Sequence, residues 1–110
     1  MKKEYNKLVR DRVPDNIRAE GKSIVVHQVK DREELVTLLI SKLFEEVNEL
    51  KEEFDKTGNI SVEELIDVEE VLDKLKIESN QTIDEIQKLK EEKAFKNGRF
   101  DLSLVLESVE

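Results

Sequence analysis

From about Glu33 to Lys56, the residues Val36, Ile40, Leu43, Val47, Leu50 and Phe54 recur every three or four positions and draw one apolar stripe along a helix. Gly58-Asn59 breaks the run. Ser61 then stands three positions before Glu64, the spacing of a capping box, and opens a second helix that continues through Lys76. Its stripe is Leu65, Val68, Val71, Leu72 and Leu75. A third helix is expected over about 81–96, with Ile83, Ile86, Leu89 and Ala94 on one side and Gly98 as its C-terminal stop. Pro14 suits a first helical position and Gly21 a stop, which predicts a short helix over 14–20. Two stretches read as strands: the β-branched 24–29 (IVVHQV) and the alternating tail 102–109 (LSLVLESV). Pairing these two would tie the ends of the chain together. The expected fold is mainly α, a helical bundle of about three main helices plus the short N-terminal one, with a small two-stranded β element, all within a single domain over 1–110.

With 110 residues there is room for one compact domain rather than two. Hydrophobic residues make up only 37% of the chain, which gives a single copy a thin core and predicts completion of the bundle by a homodimer or a higher homo-oligomer. The formal charge of −8 argues against binding a nucleic acid polymer or an anionic membrane, both of which need a net positive surface. No apolar run approaches the length of a membrane span, and no signal-peptide pattern opens the sequence. The chain has no cysteine, so disulfides and thiolate zinc sites are out of consideration. The expectation is a cytoplasmic protein without membrane partners.

Two acidic motifs lie inside the two best helical runs: EEVNE from Glu45 to Glu49, and ELID from Glu64 to Asp67. Acidic pairs three residues apart are cheap evidence, because 27 acids in 110 positions give about half a dozen by chance, and most such pairs are solvated faces. Their direction is more telling. At about 100° per residue, Glu46 lies beside the Leu39 and Leu50 edge of its stripe, and Glu49 is further round on the same side. Glu64 falls within the apolar arc of the second helix, although capping with Ser61 is a competing and compatible explanation, and Asp67 borders Val71. If the helices pack side by side, Glu46, Glu49, Glu64 and Asp67 converge. Close carboxylates repel one another and are costly to bury unless paired or metal-bound, and hard oxygen donors suit Mg²⁺, with Mn²⁺ as a substitute. Such a centre points to chemistry on a phosphorylated substrate.

The E-E-x-x-E motif, followed after the fourteen residues 50–63 by E-x-x-D, resembles the MazG-like all-α NTP pyrophosphohydrolase superfamily. The opening YNKLVRDRVP, from Tyr5 to Pro14, is more specific: it is similar to the start (YNKLVRDKIP) of a small phosphoribosyl-ATP pyrophosphohydrolase-like branch. The ending KAFKNGRF, residues 93–100, is similar to that branch's final glycine-containing turn. The resemblance implies a homo-oligomeric enzyme that uses Mg²⁺ to split a nucleotide substrate between its α and β phosphates. It implies metal ligands at Glu46, Glu49, Glu64 and Asp67, and catalytic roles for Glu45, Glu46 and Glu49. Lys7, Arg10 and Arg12 are then candidates for phosphate contacts, since a cationic segment beside a metal–carboxylate cluster complements a polyphosphate; the plainer alternative is a basic terminus balancing an acidic body. One departure stands out. The branch commonly carries Arg-Gly-Gly-Phe before its last strand, whereas this chain has Asn97-Gly98-Arg99-Phe100, leaving Lys93 and Lys96 as substitute cations.

His27, the only histidine, sits in an apolar candidate strand and is read as structural or exposed rather than as a general base. The three glycines are isolated, so there is no phosphate-cradling glycine-rich loop. Tyr5, Phe44, Phe54, Phe95 and Phe100 are expected to pack the core or a subunit interface. Two rival readings stay open from the residues alone: a noncatalytic helical interaction module with solvated acidic faces, and a nucleotide-binding regulator without turnover, suggested by the altered 97–99 turn.

Overall fold

The computed structural model describes Lys3 and residues 5–110; Met1, Lys2 and Glu4 of the basic opening segment lie outside the described residues. Four helices follow one another: α1 (Val13–Ala19), α2 (Arg32–Thr57), α3 (Val62–Glu78) and α4 (Ile83–Asn97). Each of the three longer helices starts with the same local grammar, a short polar cap three residues before a glutamate. Asp31 accepts the Glu34 amide at 2.8 Å, Ser61 the Glu64 amide at 3.3 Å and Thr82 the Glu85 amide at 3.0 Å. Each cap satisfies an amide that the helix leaves orphaned and is worth about 1 kcal/mol. Gly58 ends α2 with φ of 73°, a left-handed conformation that lets its N–H close on the Phe54 carbonyl at 2.8 Å.

α2 and α3 form an antiparallel hairpin that supplies most of the tertiary packing, α4 touches α3 only lightly, and α1 packs closely on no other helix. The register is fixed at both ends. The Arg32 guanidinium donates to the Glu78 carbonyl, and fourteen residues further along α2 and back along α3, Glu46 meets Glu64. Leu39 and Val71 lie halfway between, and they are the buried hydrophobic residues of the described chain.

The predicted α2 stripe is rotated relative to this seam. Leu39, Glu46 and the half-buried Leu50 turn toward α3, whereas Ile40, Phe44, Val47 and Phe54 are exposed. Neighbouring residues on a helix are about 100° apart, so choosing Leu39 as the inward direction necessarily turns Ile40 away from α3. The core reading of the aromatic residues is corrected too, since Tyr5, Phe44, Phe54, Phe95 and Phe100 are all exposed.

The expected two-stranded β element does not form among the described residues. Residues 22–29 and 103–110 carry no regular structure, and Val25 and Leu104 are almost wholly exposed. A strand exists only where a second backbone completes its ladder, and these two segments form none. The chain is correspondingly open. Its accessible surface is 10265 Å², against about 6,300 Å² expected for a compact protein of 12.9 kDa. Its radius of gyration of 18.4 Å exceeds the roughly 13 Å of a compact chain of this length.

Candidate metal centre

Glu46 and Glu49 lie one turn apart on α2, and Glu64 reaches them from the opposing face of α3. One carboxylate oxygen from each lies within 4.8 Å of the others. Glu46 is 7% exposed, the only buried charged residue of those described. Its Oε2 and the Oε2 of Glu64 are shielded from solvent and have no hydrogen-bond partner. Ser61 receives the Glu64 amide, so the backbone half of the capping box is made while the Glu64 side chain turns into the cluster.

Burial first, and then the adjoining Glu49 carboxylate, push the Glu46 acid above its ordinary range, against a smaller opposing pull from Lys42. Lys42 sits one turn earlier on α2, with its Nζ 3.4 Å from Glu46 Oε1 and 3.6 Å from Glu45 Oε2. Sequence reasoning passed over this residue. The available signal was its spacing of three and four from Glu45 and Glu46, which resembles any surface ion pair until Glu46 is known to be buried.

Glu45 is not one of the three clustered acids and accepts from Lys7 Nζ at 2.8 Å. This contact, assisted by Lys42, holds its acid below the usual carboxylate range. Asp67 is one turn beyond Glu64 on α3, but its carboxylate is taken by Arg10 Nη2 at 2.8 Å rather than joining the three glutamates. Of the other predicted cations, Arg12 is exposed at the N-cap of α1 and Lys93 is exposed on α4; neither forms an ion pair among the described residues. Arg99, the displaced arginine of the C-terminal turn, folds back to Glu91 at 3.0 Å. His27 is exposed, 3.3 Å from Glu34.

Three acids on facing helices, with two shielded lone-pair oxygens unclaimed by protein donors, fit a hard divalent cation. An uncompensated buried carboxylate is otherwise expensive, and a single lysine at 3.4 Å compensates only one oxygen. Open hollows of about 290 and 210 Å³ lie at the start of α2 and along α4, and neither is lined by a cluster acid. The cluster thus lies in the α2–α3 seam, outside both of these hollows. No helix of the described residues is long and apolar enough to cross a membrane. Compared with known protein families, curated proteins and solved structures, the chain matches none.

Proposed function

We propose that this chain is a Mg²⁺-dependent nucleotide pyrophosphohydrolase, with Mn²⁺ as an alternative ion. Water is added across the bond between the α and β phosphates, giving a nucleoside monophosphate and pyrophosphate. The observation that carries the metal-dependent part is the buried, unpartnered Glu46 oxygen in convergence with Glu49 and Glu64. The choice of nucleotide and of bond rests on the resemblance of the EEVNE, ELID and YNKLVRDRVP motifs to MazG-like enzymes. Hydrolysis of noncanonical nucleotides is the cellular role this suggests.

Glu46, Glu49 and Glu64 would hold the ion, with Asp67 beside them as the fourth acid of the set. Bound there, a divalent cation neutralises phosphate charge and favours ionisation of a water. The chain's own contribution is positional. Glu46 or Glu49 orients the attacking water and accepts its proton. Glu45, kept ionised by Lys7, holds that lysine at the rim where a phosphate would arrive. Arg10 and Arg12 add positive charge on the same segment.

A second copy of the chain is part of this reading. The single chain exposes about 4,000 Å² more than a compact protein of its mass, which exceeds the roughly 1,000–2,500 Å² that one partner of an obligate dimer buries, so a second copy would cover only part of it. Ile40, Phe44 and Val47 form an exposed apolar face of α2 turned away from the acids, and a homodimer packed there would bury that face. The same exposed area favours the alternative of a noncatalytic interaction module. Pyrophosphate release from a panel of standard and modified nucleoside triphosphates, with Mg²⁺ or Mn²⁺, separates them. Equal monophosphate and pyrophosphate, lost in Glu49→Gln, is the expected result. No turnover, with Mg²⁺-dependent thermal stabilisation by a nucleotide, would indicate a regulator, and neither effect would leave the interaction module.

A further inference from the structure

The acids flanking the three-glutamate cluster are both held by one stretch of chain. Residues 5–10 have no regular secondary structure, yet Lys7 is fastened to Glu45 on α2 and Arg10 to Asp67 on α3, each at 2.8 Å. Three residues of chain span at most about 10 Å, comparable to the 8–10 Å between packed helix axes, so the segment straps the α2–α3 seam directly beside the carboxylates. Asp67 is one turn from Glu64 and points its charge at Arg10 instead of at the other acids. The Arg10–Asp67 pair is open to solvent on both sides, with side chains 53% and 40% exposed, so it exchanges readily. A guanidinium receives a carboxylate and a phosphate through the same planar fork of donors.

We propose that Arg10 is a positioning residue that trades partners, holding Asp67 out of the cluster until a metal-bound polyphosphate arrives. Asp67 then turns to the ion as its fourth protein ligand, and Arg10 passes to the phosphate oxygens. The strap stays fastened at Lys7–Glu45 while Arg10 moves. This inference rests on the metal-centre reading above. It gives that reading an order of events: the ion alone meets resistance from Arg10, and the phosphate removes it.

The test measures Mn²⁺ binding by the full chain alone, and then binding of inorganic tripolyphosphate at saturating Mn²⁺, in wild type, Arg10→Gln, Asp67→Asn and the double variant. Arg10→Gln should bind Mn²⁺ alone up to about fivefold more tightly, the scale of one exposed ion pair, yet bind tripolyphosphate at least about tenfold more weakly. The gain for Mn²⁺ should vanish when Asp67→Asn is already present, because it acts through Asp67. A gain that persists in the Asp67→Asn background would show simple charge repulsion and overturn the exchange. So would an Arg10→Gln variant that binds both ligands as wild type does, or both more weakly. In each of those cases wild-type Mn²⁺ binding leaves the metal centre standing, whereas a wild type that binds no Mn²⁺ overturns the centre and the exchange together.

Discussion

The two faces of α2 carry opposite kinds of residue to those a stable core calls for. The face turned to α3 holds Leu39 and Leu50 but also the buried Glu46, with Glu49 at its margin. The face turned away holds Ile40, Phe44, Val47 and Phe54, all exposed. Packing for stability alone would rotate the helix and reverse this assignment. An inward face that keeps a shielded carboxylate without a hydrogen-bond partner gives up stability at that point, which is the usual mark of a functional site. The apolar outward face is suited to another surface, for which a second copy of the chain is the proposed occupant.

The largest effect expected from challenging this contrast is at the inward face. Leu39→Ala should destabilise the chain by about 2–5 kcal/mol in urea unfolding, because it removes one of the two buried hydrophobic residues among those described and leaves a cavity. Phe44→Asp on the outward face should instead leave helix content intact and shift sedimentation to a single chain. Unchanged sedimentation would show that this face is not the contact.

Titration sharpens the contrast next. Glu46 is raised above its ordinary 4.5, so in chelator its contribution is fully present below the usual carboxylate range and is lost as pH rises through its folded value. Glu45 is lowered from 4.5, so its contribution is present above that value and is lost as pH falls through its folded value. Glu46→Gln should therefore flatten the decline of melting temperature on the higher-pH side, and Glu45→Gln the decline on the acid side. Matching profiles for both variants and wild type would contradict the assignment. The smallest effect lies away from either face. Gly58→Ala should cost about 1 kcal/mol, because a Cβ meets no neighbour there but is strained at φ of 73°.

How far all this could be read from the residues depends on how local the cause is. The α2 run, expected over 33–56, is a helix over Arg32–Thr57, and the stops at Gly58 and Gly98 are where the residues place them, because caps and periodicity act within one or two turns. The direction α2 faces is less local. Its apolar arc is broad enough for either the Leu39 side or the Ile40 side to turn inward, and only the partner helix decides. Residues 24–29 and 102–109 have strand composition, but a ladder depends on a second segment that composition does not locate. At the site, spacing identifies acids that share a helix face, and the structure brings Glu46, Glu49 and Glu64 together. The Arg10–Asp67 pair spans 57 positions, and nothing in the local pattern of either residue selects the other.

The central claim is that the inward acids form a cation site, and thermal unfolding of wild type and Glu46→Gln, in chelator and in Mg²⁺, tests it most directly. The account predicts that Mg²⁺ raises the melting temperature of the wild type. It also predicts that Glu46→Gln is the more stable of the two in chelator, since it removes a buried charge, and that it no longer responds to the ion. A wild type indifferent to Mg²⁺, with Glu46→Gln no more stable in chelator, would contradict it.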